Sequence, residues 1–254
     1  MPRAVTRALN DARYFFFRAL RKAGAFGSGV GWSPELRGLG IEIGAHGHPL
    51  PGIQPYYVDR FRAFGGEPCA AHLLSDGASL PFRDGCLDYV ACSHLLEHLA
   101  DPAGAIVEWC RAVKPGGIVY LIVPDRRFTF DRHRPRTKVA HLIDDFERKA
   151  QPSDPTHIDE FFDRVALREL QPELERGEVA AYRERQRAHH HQEARAGRPV
   201  NIHFHAFEKA DVLDLLRALA EHPAARLRYE VLEERAFFPP GAANGFLVAI
   251  RKRA

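Results

Sequence analysis

Four short polar stretches in the first hundred residues each follow an apolar run, and each holds residue types suited to gripping a small polar ligand. Gly44 and Gly47 follow "GIEI" and, having no side chains, let backbone approach a ligand closely. Asp59 ends "YYVD", where a carboxylate can accept both hydroxyls of a ribose. Asp76, in "SDGASLPF", can take a purine amino group beside the small Gly77, and Ser93 and His94 follow "LDYVAC". Three histidines are candidate proton acceptors: His94, and the pair His203 and His205 in "NIHFHAF", whose side chains share one face if that segment is extended. A structural role for each of the three stays open. After the fifth apolar run comes "PDRRFTFDRHRPRT", in which Phe128 and Phe130 can pack on a substrate while Arg126, Arg127 and Arg132 can hold a phosphate or carboxylate. An equal alternative is an arginine-rich lid paired with Asp131 and the insertion's own acids.

Two histidine groupings raise a metal question. In "HLLEH", His94 and His98 stand at i and i+4, but the glutamate is misplaced for the H-E-x-x-H zinc motif. His203 and His205 with Asp125 or His94 would need a proximity that no spacing supplies, so no metal is expected. The triplet His189 to His191 lies in a charged stretch and reads as a solvated helix surface.

The elements that must position these residues are written in alternating apolar runs. "GIEIG", "YYVDR", "AHLLSDG", "LDYVACS" and "GGIVYLIVPD" read as five strands, with a helix over "HLLEHLADPAGAIVEWCRAVKPGG" before Pro115-Gly116-Gly117 stops it. Strands alternating with helices imply a parallel sheet with crossovers, and the polar turns then collect at its carboxyl edge, where open α/β sheets bind ligands. Residues 125–199 are charged and histidine-rich, with helical patterns at 139–148 and 158–170. So long a structureless loop is implausible, which makes the segment a helical insertion of about 126–200 over the sheet. "FEKADVLDLLRALAEH" restores an amphipathic helix, and "RYEVLEERAFF" and "NGFLVAIRKR" read as antiparallel edge strands. Residues 1–37 form a basic helical arm covering the domain, and 38–254 the α/β domain.

The totals bound the function classes. A chain of 254 residues with 45% hydrophobic content can bury a full core, and a formal charge of +3 with nearly matched acids and bases argues against a nucleic-acid partner. The four cysteines form no C-x-x-C pair and read as reduced thiols. No apolar run reaches the length of a membrane-spanning helix, so a cytoplasmic protein is expected.

At "LSDGASLPFRDGCLDYVACSHLLEHLADP" followed by "RAVKPGGIVYLIVPD", the chain resembles the class I S-adenosylmethionine-dependent methyltransferases of the broad type 11 group, strongly over residues 39–125. "IEIGAHGHPLP", "VPDRRFTFDRHRPRT" and "HFHAFEKADVLDLL" are similar to a narrower bacterial subgroup found with glycosyl-transfer, cell-surface or secondary-metabolite genes. The resemblance implies a Rossmann-like α/β sheet, mostly parallel with an antiparallel last strand, and S-adenosylmethionine as cofactor. It assigns Glu42, Gly44 and Gly47 to the methionine end of that cofactor, Asp59 to the ribose, Asp76 and Gly77 to the adenine, and Ser93 and His94 to the sulfonium side. The implied reaction is methyl transfer to oxygen or nitrogen of a small-molecule acceptor, anionic or glycosylated. Other uses of the sulfonium, and a non-enzymatic scaffold, are the alternatives. One departure stands out: His48 replaces the third glycine of the usual E/D-x-G-x-G-x-G turn, and Pro49 and Pro51 follow, so the first crossover helix must be short or absent.

Overall fold

In the computed structural model the described residues are 36–239 and 242–254, with a few helical positions between 11 and 19. Most of the helical arm expected over 1–37 lies outside them.

Seven strands form one sheet in the order β5-β2-β1-β6-β7-β9-β8: β1 (Gly40–Ile43), β2 (Tyr56–Asp59), β5 (Leu73–Leu74), β6 (Leu87–Ser93), β7 (Val113–Pro124), β8 (Tyr229–Phe238) and β9 (Gly245–Lys252). The first five run parallel, and β9 lies antiparallel between β7 and β8. Of the two last strands expected at an edge, only β8 is one. β3 (Ala63–Phe64) and β4 (Glu67–Pro68) form a small hairpin beyond β2.

Strand alternation sorts the side chains onto two faces. Val90 and Cys92 join Ile41, Ile43 and Val58 on the face covered by helices, while Tyr89 and Ala91 join Tyr120, Leu247 and Leu50 on the other. The helices on the first face are α1 (Pro102–Ala112), α2 (Val139–Glu147) and α6 (Lys209–Glu221). Helix α1 starts later than the apolar pattern suggests, because Asp101 caps it by accepting from the Gly104 N–H at 2.6 Å and Pro102 occupies its first position. Residues 96–98 before it form a single 3-10 turn. Helix α6 opens with a reciprocal cap between Glu208 and Asp211.

The segment after β7 continues from α2, which packs on the sheet, into α3 (Ile158–Arg164), α4 (Leu167–Leu170) and α5 (Val179–Arg195), which surround a core of their own built on Ile158, Phe161, Phe162, Leu167 and Phe204. The single helix expected over 158–170 is split because the Ala166 N–H leaves the helix to donate to the Phe130 carbonyl at 2.9 Å.

No helix forms between β1 and β2. The chain crosses over as a loop in which the Leu50 N–H donates to both oxygens of Glu42, at 3.0 and 3.1 Å, and the Leu50 side chain packs into the core. The missing third glycine follows from this: its role is to let a helix lie close to the strand, and no such helix exists here.

Candidate functional site

A cavity of about 380 Å³ opens at the carboxyl edge of the sheet, built from the ends of β1, β2, β5 and β6. Gly44, Asp59, Asp76, Gly77 and His94 line it together. Residues from four separate sequence stretches thus meet in one place because parallel strands deliver their carboxyl ends to the same edge. Glu42, Gly47 and Ser93 do not line it: Glu42 is turned to Leu50, Gly47 is exposed, and the Ser93 hydroxyl lies 3.1 Å from Nδ1 of His94.

The glycines differ in what they need. Gly44 has φ +70°, and a Cβ there would meet Leu95 at 3.1 Å. A Cβ on Gly77 would stand 2.9 Å from Ile43. Gly47 has open space around it, so nothing steric holds glycine at that position.

Asp59 is nearly buried and accepts from the Phe61 N–H at 2.9 Å through Oδ1. Asp76 accepts from Ala78 N–H at 3.0 Å through Oδ1 and pairs with Arg60 through Oδ2. A carboxylate offers about four lone-pair sites, which leaves Asp76 able to accept from a ligand as well. Arg60, His46, Phe61 and Phe64 join the lining. None was legible beforehand, since the hairpin carrying Phe64 is only two residues per strand and has no apolar alternation.

His94 sits in the left-handed region at φ 52°, a conformation that costs a residue with a side chain of order 1–3 kcal/mol and that collects at functional sites. Its Nε2 is buried and has no hydrogen-bond partner among the described residues. Burial, then the nearby His203, pulls its pKa down to about 4, so the ring is neutral at ordinary pH.

A second cavity of about 420 Å³ adjoins the first, sharing His98 and Asn201 with it. Its walls are Phe130, Phe161, Phe162 and Tyr182, with His203 at the junction beside His98. Nδ1 of His203 lies 2.5 Å from Oδ2 of Asp131, which also accepts from Arg134 at 3.0 Å through Oδ1. Asp131 is fully buried, yet the charges of His203 and Arg134 outweigh burial and hold its pKa down at about 2. Glu97 is buried and lines neither cavity, its Oε1 4.0 Å from Nε2 of His98 and 3.9 Å from Nε2 of His203. His205 is fully buried and lines neither cavity.

Of the residues proposed for substrate, Phe130 lines the second cavity and the others do not. Phe128 is buried against Phe237. Arg126 pairs with Glu208 at 2.9 Å, Arg127 with Asp125 at 2.5 Å, and Arg132 with Asp11 and Glu169, each at 2.7 Å. These arginines are tied to acids, but of the partners expected in the alternative reading only Glu169 belongs to the insertion, and Asp131 pairs with Arg134 and His203 instead.

Burial pushes the Glu42 carboxyl up to about 7, against the lowering effect of its Leu50 hydrogen bonds. The native state therefore holds a proton that the unfolded state releases near pH 4.5. That contribution is fully present below about 4.5 and is lost as pH rises through 7. At 1.36 kcal/mol per unit, Glu42 costs about 3 kcal/mol of stability at pH 8. Glu42→Gln is expected to raise the thermal midpoint at pH 8 and leave it unchanged at pH 4.5; an equal shift at both would dismiss the buried carboxyl as its cause.

A sheet of strand order β5-β2-β1-β6-β7-β9-β8 with β9 reversed, carrying a ligand cavity at its carboxyl edge, is the Rossmann-like fold of class I methyltransferases. Residues 53–121 match the family described as "Methyltransferase domain", whose methyl donor is S-adenosylmethionine. Among curated proteins, the chain is 34% identical over 76 residues to a ubiquinone biosynthesis O-methyltransferase of Sodalis glossinidius (strain morsitans), covering 24% of this chain and 30% of that protein. It is 40% identical over 52 residues to an uncharacterized 37.1 kDa protein in transposon TN4556 of Streptomyces fradiae, covering 20% of this chain and 15% of that protein. The chain thus spans less than a third of the length of either relative. Among solved structures, an S-adenosylmethionine-dependent methyltransferase from Thermotoga maritima aligns over 100% of both chains with 16% identity and a TM-score of 0.44. These matches are to the broad family and carry no mark of the narrower bacterial subgroup. No helix among the described residues is long and apolar enough to cross a membrane.

Proposed function

We propose that this protein transfers a methyl group from S-adenosylmethionine to an oxygen or nitrogen of a neutral small-molecule acceptor. The observation that carries this reading is the pair of adjoining cavities. One is edged by the glycines and acids that suit a nucleoside and amino-acid ligand; the other is walled by aromatic rings that suit the flat face of an acceptor. The described lining of the second cavity includes no arginine or lysine, which is why a neutral acceptor is favoured over an anionic one.

Methyl transfer from a sulfonium is an in-line displacement, so positioning and removal of the acceptor proton are what a protein must supply. In this reading Asp59 holds the ribose, Asp76 and Gly77 the adenine, and Gly44 the methionine end. His94 flanks the sulfonium, where a neutral ring avoids repelling the positive charge. His203, fixed by Asp131, accepts the acceptor's proton at the junction of the cavities once it has given up the proton that Asp131 favours on it, so turnover is expected to rise with pH through its raised pKa.

Calorimetric titration with S-adenosylmethionine and S-adenosylhomocysteine tests the donor half. Micromolar binding of both is expected, and a folded protein that binds neither overturns the proposal. Product analysis separates methyl transfer, which releases S-adenosylhomocysteine, from other chemistry on the sulfonium, which releases methylthioadenosine. Asp59→Ala is expected to weaken binding of both ligands about 10- to 150-fold, the value of hydrogen bonds to a charged acceptor of about 1.5–3 kcal/mol. An unchanged affinity would remove Asp59 from the ribose site.

A further inference from the structure

Four side chains that line neither cavity converge on one point beneath the insertion. His141 and Asp145 are one turn apart on α2 and so lie on the same side of it. His157 ends the turn leading into α3, and His205 belongs to the extended stretch that follows α5. Each offers one ligand atom, and the four atoms lie within 4.8 Å of one another. Nε2 of His141 is 2.8 Å from Nε2 of His157. Oδ2 of Asp145 stands 3.4 Å from His141, 3.8 Å from His157 and 3.7 Å from His205, in each case from Nε2.

Hydrogen bonding leaves this arrangement unsatisfied. One proton can join His141 to His157, but Asp145 Oδ2 is buried without a hydrogen-bond partner among the described residues. Among the described residues, the hydrogen bond of His205 Nε2 is to the Ala100 carbonyl, long at 3.4 Å. Three imidazole nitrogens aimed at one buried carboxylate oxygen are a poor hydrogen-bond network and a good ligand set. Four ligands about 2.0–2.1 Å from a tetrahedral zinc ion stand about 3.3 Å apart, and the observed separations bracket that value. Two of the four outer atoms are held in the way metal ligands are: Nδ1 of His157 lies 3.0 Å from the Thr156 hydroxyl, and Arg148 Nε donates to Oδ1 of Asp145 at 3.1 Å, leaving Oδ2 for the ion, while Nδ1 of His205 is buried without a partner among the described residues.

We propose that His141, Asp145, His157 and His205 bind a zinc ion that staples the helical insertion to the α/β domain. All four tetrahedral positions are taken by protein, which is the pattern of a structural rather than a catalytic site. The half-exposed ring of His141 gives the ion its way in. The ion would fix the stretch that also carries His203, two residues before His205, and so hold one wall of the second cavity. The inference stands apart from the methyl-transfer reading, because metal binding is read without donor or acceptor.

The test uses the full chain, stripped with a chelator and titrated with zinc. One tight equivalent per chain and a raised thermal midpoint are expected, and cobalt in its place should give the intense visible absorption of a tetrahedral ion. His141→Ala, at a half-exposed position, and Asp145→Asn should each weaken binding at least about tenfold and abolish the zinc-dependent midpoint. The double variant His189→Ala/His191→Ala should keep the tight equivalent. A folded wild-type chain without a tight equivalent overturns the proposal. So do a weak octahedral cobalt spectrum and zinc binding that survives His141→Ala but is lost when His189 and His191 are removed.

Discussion

His203→Gln is expected to slow methyl transfer by about 100- to 10,000-fold, the usual worth of a positioned base, with donor affinity kept within about threefold. Glutamine can still donate a hydrogen bond to Asp131, so the buried carboxylate keeps a partner while the proton acceptor is gone. His94→Asn is the control that separates the two histidines. Asparagine tolerates the left-handed backbone that His94 adopts, and its loss of the ring should weaken the donor rather than the chemical step. Initial rates at saturating donor, alongside calorimetry, decide between them. If His94→Asn slows the step a hundredfold while His203→Gln does not, the roles are reversed. A base with the His94 pKa of about 4 would then leave the rate flat through neutral pH, without the limb expected of His203, whose burial is outweighed by Asp131 and Glu97 so that its pKa lies above the ordinary imidazole value. Asp131→Asn should lower turnover more than it raises KM, since Asp131 acts by holding His203 and does not itself line the cavity.

How much of this could be read from the chain depended on the range of the interactions. Strands β1, β2, β6 and β7 announced themselves through local apolar runs, and parallel topology then required Gly44, Asp59, Asp76 and His94 to meet. Pro49 and Pro51 correctly forbade a first crossover helix. Helix α5 gave no apolar stripe to find, because none of its residues is fully buried. Arg126 and Arg132 looked available for a ligand because their acids, Glu208, Glu169 and Asp11, are far away in sequence, whereas the partner of Arg127, Asp125, is only two positions off. The cluster of His141, Asp145, His157 and His205 was hidden for the same reason: it spans 64 positions, and only the packing of α2 against the stretch after α5 closes it. His203 and His205 alternate as expected, yet land in different places. One faces the second cavity, and the other lies buried in that cluster.

The largest expected effect on stability falls at Trp109. It is fully buried on α1 and donates from Nε1 to the Gly77 carbonyl at 2.7 Å, tying the proposed adenine loop to the helix behind it. Trp109→Ala removes a large core side chain and should cost about 3–5 kcal/mol. In a domain of this size that lowers the thermal midpoint by roughly 6–20 °C. Trp109→Phe separates packing from the hydrogen bond. It retains most of the ring but leaves a buried carbonyl unsatisfied, for about 1–3 kcal/mol. Gly77 has no slack to absorb the change, since it is wedged close enough to Ile43 that even a Cβ would not fit. Trp109→Phe should therefore weaken the donor several-fold in calorimetry, even at a temperature where the variant is fully folded. A variant that loses stability but binds the donor as tightly as wild type would show that Trp109 serves the core alone, and that the loop keeps its shape without it.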